Sequence, residues 1–280
     1  MRKITFQQKR NVEGMRKKGN SYLEISKKLK ISKSTIHNYG KDIKISDKGL
    51  ARLNKRMEDN RERFIQNFAT ARKIREPGDI SVNLVRILGH CLFDGCVRKD
   101  GVIYTNSSKE LIKQFSEDMK KVFGVKPDLI RKMFKKSYYW VLYFNYTKIS
   151  NFLIKFSHSY STSSTKSRIP SFLFDSNPKF ISEYLRCFWD DEGAVKSNGD
   201  ITGKTKSKNI ANQLVKLHNK LGIEIKTYFD TKNLAYELYV PRRENLQKFK
   251  NSIGFGHGKV CRGKFRGFSK SDALNLVSVN

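Results

Sequence analysis

A repeat spaced by 96 to 99 residues limits what this chain can fold into. Asp94-Gly95 returns as Glu192-Gly193, Ser108-Lys109-Glu110-Leu111 as Ser207-Lys208-Asn209-Ile210, and Gly124-Val125 as Gly222-Ile223. Trp140-Val141-Leu142-Tyr143-Phe144 likewise returns as Tyr236-Glu237-Leu238-Tyr239-Val240. The same landmarks in the same order mean one structural plan used twice. Each copy reads as a helix (84–94; 181–192), two strands around a glycine turn (Asp100-Gly101; Asn198-Gly199) and a second helix (109–123; 208–221). Two alternating strands and a closing helix (148–156; 243–253) complete it.

The resulting αββαββα order, written twice, predicts an α+β fold with one half over 79–160 and the other over 161–264. A single such unit leaves the apolar face of its first helix uncovered. Packing the two first helices against each other buries both faces and creates a pseudo-two-fold axis. That symmetry brings Asp94 and Glu192, at the ends of the two helices, to one place. Each acid precedes a glycine, which allows a sharp turn into the next strand. A negative charge at a helix C-terminus opposes the macrodipole, so two such acids at matched positions point to function.

Residues 87–95, ILGHCLFDG, and 185–193, LRCFWDDEG, resemble the two copies of the LAGLIDADG motif in single-chain homing endonucleases. The likeness extends over 83–264, including Arg168-Ile169-Pro170 before the second motif helix and Ile253-Gly254-Phe255 near the end. The resemblance implies that the motif helices form the interface between halves and that two curved sheets straddle the major groove of double-stranded DNA. It also implies that the last acid of each motif, Asp94 and Glu192, is catalytic and binds Mg²⁺ or Mn²⁺. By the same resemblance a catalytic lysine is expected after each half's last helix, nominating Lys166 and Lys259. Some positions depart from the motif: Leu92 stands where an acid is common, Phe93 and Asp191 fill a place that is usually small, and Cys187 replaces a glycine that Gly89 keeps. Asp190 matches a polar position near a helix cap or the interface.

The chemistry agrees on its own terms. Hydrolysis of a phosphodiester needs an activated water and a positive clamp on the scissile phosphate, and a divalent cation supplies both. Mg²⁺ prefers carboxylate and phosphate oxygens and keeps several waters, so one acid per DNA strand suffices. Strand residues including Tyr104, Asn106, Arg131, Lys135, Tyr143, Lys226, Tyr228 and Tyr239 alternate with apolar ones, as expected of a sheet with one face packed and one face toward base edges.

Charge narrows the partner. The chain has 57 Lys and Arg against 26 Asp and Glu, a formal net charge of +31, with 38% hydrophobic residues. It has enough apolar material to fold and needs an anionic partner. No apolar run approaches bilayer length and no signal-peptide core follows the N-terminus, which excludes a membrane span and predicts a cytoplasmic, nucleoid-associated protein. Cys91, Cys96, Cys187 and Cys261 form no CxxC pair and lack histidines at zinc spacing, as in a protein with reduced thiols.

The N-terminal 45 residues have a separate character. Helical periodicity runs from Phe6 to Lys18, and Ser21 with Glu24 reads as a capping box that opens a helix through Leu29. Ser32 then caps a third helix. Residues 19–41 resemble the helix-turn-helix of DNA-binding regulators and resolvases. That resemblance implies that Ile36 enters the core while Lys33, Ser34, His37 and Asn38 face DNA. Residues 46–78 read as a long amphipathic helical linker ending at Pro77-Gly78, and 265–280 as a basic C-terminal tail.

Together these readings predict a metal-dependent, site-specific double-strand DNA endonuclease, acting as a monomer because one chain carries both acids. The Met start and the Val279-Asn280 finish lack the ends expected of an intact intein. Two alternatives stand beside it: a non-catalytic DNA-binding regulator, and an RNA maturase that assists splicing of an intron.

Overall fold

A computed structural model describes residues 4–71, 74–127, 129–134, 138–162, 164, 166–196, 198–241, 243–260 and 263–277, and only the backbone at 63–71, 129–134, 138 and 277. The chain divides into two compact units, 1–73 and 74–280.

The first unit begins with three short helices, α1 (Phe6–Lys17), α2 (Tyr22–Leu29) and α3 (Lys33–Gly40). Thr5 with Gln8 and Ser21 with Glu24 each form a capping box, and Ser32 caps α3. These side chains satisfy backbone N–H groups that helix starts leave without partners. Val12, Ile25 and Ile36, one from each helix, are fully buried together. Lys33, Ser34, His37 and Asn38 are exposed on α3. A long helix, α4 (Asp47–Ala71), follows. Near its start Gly49 lies against Gly19, where a Cβ on Gly19 would come within 2.0 Å of the Gly49 carbonyl oxygen.

The second unit contains the repeat. Its first half comprises α5 (Val82–Phe93), β1 (Gly95–Arg98), β2 (Gly101–Asn106), α6 (Lys109–Phe123), β3 (Leu129–Phe134), β4 (Tyr138–Phe144) and α7 (Thr147–Ile154). Its second half comprises α8 (Pro178–Glu192), β5 (Gly193–Val195), β6 (Ile201–Thr205), α9 (Lys208–Lys220), β7 (Lys226–Asp230), β8 (Ala235–Tyr239) and α10 (Arg243–Ser252). Both sheets are antiparallel and four-stranded with the same order, β1-β2-β4-β3 and β5-β6-β8-β7. This is the α+β, twice-written αββαββα architecture.

The helices α5 and α8 pack against each other at its centre. Of the ten positions of α5 from Leu84 to Phe93, all but Arg86 are buried, as a helix covered on all sides requires. Gly89 lies in tight contact with α8: a Cβ there would lie 2.8 Å from the Cys187 Cβ. One glycine is enough for close contact, so Cys187 is accommodated where the motif usually has a second. Phe93 is accommodated too, edge-on against Tyr184 and Phe188 at 5.8 and 5.1 Å. Arg86 bridges the helices, its Nε 2.6 Å from Glu183 Oε2. Deeper in the second half, buried His218 accepts from Trp189 Nε1 at 2.9 Å and donates to the Leu214 carbonyl at 2.7 Å. Burial lowers its pKa to about 4 and keeps it neutral.

One expectation is corrected here. In the segment after α10, residues 265–280, expected as a basic C-terminal tail, send side chains into the core. Phe255, Val260, Phe265, Ala273 and Leu274 are buried in the second unit's core, and α11 (Lys270–Val277) ends it. The sparse apolar residues among many bases hid this in the sequence, although Phe268 and Leu276 remain exposed. Cys261 lies outside the described residues.

Candidate active site at the paired helix ends

Asp94 caps the C-terminus of α5, and Glu192 is the last residue of α8. The strands that follow turn back tightly on these helices. A Cβ on Gly95 would meet Cys91 Cα at 2.6 Å, and one on Gly193 would meet the Trp189 carbonyl oxygen at 2.4 Å. Glycine is therefore required by close backbone approach rather than by a left-handed turn, since neither has positive φ.

The paired helix ends bring Asp94, Asp191 and Glu192 into one open cavity of about 510 Å³, also lined by Asn106, Lys204, Lys259 and Lys270. Asn106 links two of the acids, its Nδ2 donating to Asp94 Oδ2 at 2.9 Å and to Asp191 Oδ1 at 3.2 Å. Burial, reinforced by Asp191 and Glu192, pushes the Asp94 carboxyl up to about 8, against the pull of Lys270 and His90. Burial and Asp191 push Glu192 up to about 7, again opposed by Lys270. Crowded, half-buried carboxylates of this kind hold protons until a cation compensates them.

The other acids have structural partners. Asp190, whose pKa burial raises, accepts backbone N–H groups from Gly256, His257 and Gly258 at 3.0 to 3.3 Å. It thereby fixes the segment leading to α11. The Asp191 side chain is fully buried, with Oδ2 2.7 Å from His90 Nδ1. Burial works against a charge on His90, but Asp191 outweighs it and raises the imidazole pKa well above its ordinary value.

Of the nominated lysines, Lys259 lines the cavity, where it pairs with Glu110 at 3.2 Å. Lys166 does not line it; it is exposed in the loop before α8. Two further cations went unrecognised in the sequence. Lys204 reaches Asp230 and Glu237 at 2.7 and 2.9 Å. Lys270 is buried, with Nζ 3.0 Å from the Trp189 carbonyl and 2.5 Å from that of Asp190. It supplies positive charge at the C-terminus of α8, where the macrodipole and the acids are both negative. Nothing in the repeat could have found it, because it lies beyond the duplicated part.

The strand residues divide as well. Tyr104 belongs to the packed face, fully buried with its hydroxyl on Asp191 at 3.0 Å. Tyr228 and Lys226 are exposed on β7, while Tyr143 and Tyr239 are half-buried. Lys135 and the side chain of Arg131 lie outside the described residues.

Residues 179–254 match the family model of the LAGLIDADG-like domain. The chain carries a LAGLIDADG-like domain. The LAGLIDADG-like half begins at α8, and the half before it repeats its elements and sheet order. Similar solved structures include I-DmoI in complex with DNA and Mn, 17% identical, with a TM-score of 0.46 over 62% of this chain and 97% of that one. I-DmoI in complex with DNA and Ca is 15% identical, with a TM-score of 0.46 over 70% and 96%. Full-length DUF199/WhiA from Thermatoga maritima is 12% identical, with a TM-score of 0.49 over 73% and 62%. No curated protein sequence matches the chain.

Proposed function

We propose that the protein is a metal-dependent, site-specific endonuclease of double-stranded DNA, with Asp94 and Glu192 as its catalytic acids. The observation that carries this reading is the meeting of two acids from two like halves in one open cavity. The net charge of +31 suits a polyphosphate partner.

The donor set fits a hard divalent cation such as Mg²⁺ or Mn²⁺, which takes carboxylate oxygens and retains water. Among the described residues no group of three or more His, Cys, Asp or Glu side chains is arranged to enclose an ion. Asp94 and Glu192 would therefore each hold a cation together with water and phosphate oxygens. A bound cation supplies an activated water and a positive clamp on the scissile phosphate. Asp94 and Glu192 orient that chemistry, one toward each strand. Lys259 and Lys270 offset the negative charge that builds up in the cavity. Lys33, Ser34, His37 and Asn38 of α3 add contacts to DNA from the first unit. One chain supplies both acids, so the active form is a monomer.

A second reading is a DNA-binding regulator that does not cut. The deciding experiment incubates purified protein and Mg²⁺ with DNA spanning the intact and the interrupted forms of its genomic insertion locus. Cleavage of the uninterrupted form alone, abolished by Asp94→Asn or Glu192→Gln, is the expected result. Binding without cleavage under Mg²⁺ and Mn²⁺ supports the regulator, and stimulation of intron splicing without DNA cleavage supports an RNA maturase.

A further inference from the structure

Asp191 is the acid the repeat leaves unexplained, since its counterpart 98 residues earlier is Phe93. Its carboxylate crosses the boundary between halves. Oδ2 lies 2.7 Å from His90 Nδ1, and Oδ1 accepts the Tyr104 hydroxyl at 3.0 Å and the Asn106 amide at 3.2 Å. All three partners belong to the first half. The Asn106 amide is fully used: Nδ2 also donates to Asp94 Oδ2 at 2.9 Å, and Oδ1 accepts the Ser108 N–H at 2.9 Å.

The second half lacks this arrangement. Thr205 stands where Asn106 does, and its hydroxyl likewise accepts the N–H two residues on, from Ser207 at 3.4 Å. It has no amide with which to reach an acid. Phe188 stands where His90 does. Among the described residues no hydrogen bond holds the Glu192 carboxylate, although it lines the same cavity. A carboxylate already fixed through one oxygen loses less freedom on binding a cation, and hydrogen-bond partners behind a ligand commonly shift metal affinity by about 10- to 100-fold.

We infer that Asp191, Asn106 and His90 are positioning residues through which the second half holds Asp94 of the first, leaving Glu192 unbraced, so that the two acids are unequal toward a divalent cation. This rests on Asp94 and Glu192 being the cation ligands. The tighter cation position is the one at Asp94, and the DNA strand served by Asp94 is cut faster.

Full-length protein is titrated with Mn²⁺ alone, free ion being followed by electron paramagnetic resonance, with and without duplex spanning the insertion locus. Nicking of each end-labelled strand is timed in parallel. Wild type is expected to bind two Mn²⁺ unequally. Asn106→Thr, which copies the second half, is expected to weaken the tighter position by about 10-fold and leave the weaker one unchanged, bringing the two strand rates together. His90→Phe is expected to do the same; should it fail to fold, Asn106→Thr at its half-buried position still decides. Equal wild-type affinities, or an Asn106→Thr protein in which both positions weaken alike or neither does, overturn the inference. Failure of wild type to bind Mn²⁺ in either condition overturns both the inference and the ligand assignment. Unequal binding lost selectively in Asn106→Thr, without cleavage of either strand, upholds the inference and overturns only the nuclease reading.

Discussion

Asp94 and Glu192 hold their protons to about 8 and about 7, whereas the same groups ionise near pH 4 in an unfolded chain. The folded state therefore binds more protons between these limits. Its stability from these groups is full below about pH 4 and is lost as pH rises toward 8. A cation that takes the carboxylates must displace those protons. Calorimetry at pH 6 in buffers of different ionisation enthalpy is expected to show proton release on Mn²⁺ binding, with affinity rising to about pH 8 and levelling above it; binding without release contradicts the raised values. Lys270 makes a second residue-level prediction. Hydrogen bonds from a charged donor contribute about 1.5–3 kcal/mol, so Lys270→Met should lower the melting temperature of the second unit by several degrees, as read by thermal denaturation. The two acids were legible because the repeat pairs them and each precedes a glycine. Lys270 and the partners of Asp191 were not, because their roles arise only when distant segments meet: residue 270 on the carbonyls of 189 and 190, residue 104 on 191.

At the scale of elements, the helix pair is where sequence and packing agree most closely. Gly89 was readable as a contact position from the motif, and the structure places it directly on Cys187. Gly89→Ala would press its new methyl into the Cys187 Cβ, at a cost of about 1–3 kcal/mol for overpacking. Adding Cys187→Gly should recover much of that loss. A double-mutant cycle by chemical denaturation measures the coupling, and additive losses would mean that the helices do not meet there. In the first unit, Ile36 packs with Val12 and Ile25 as the three fully buried apolar side chains among the described residues. Ile36→Ala is expected to cost about 2–5 kcal/mol, a large share of the stability of so small a unit, and to show as early loss of helical signal on heating. Helix starts such as Ser21 with Glu24 could be read directly because a cap is a local device. The fate of the segment after residue 254 could not, since the buried side chains there are scattered among polar residues and glycines, without a period to betray them.

At the scale of the molecule, the proposed binding to DNA should be steeply salt-dependent, given a net charge of +31. Replacing Lys33 by Ala should lower the slope of log affinity against log salt by about one if Lys33 meets a phosphate, with equal loss on all sequences. Asn38→Ala should instead cost about 1–3 kcal/mol on the preferred site alone if it reads a base; filter binding across salt concentrations separates the two. The duplicated plan was visible from end to end because both copies keep their landmarks, whereas the differences between copies, Phe93 against Asp191 and Asn106 against Thr205, carry no periodic signal. The seam between the copies also contains its own gauge. Cys187 is sealed beneath Gly89, and burial raises its thiol pKa, so an alkylating reagent can reach it only during a transient parting of the seam. Its labelling rate therefore clocks how often the two copies come apart, and a duplex clamped across them should slow that clock.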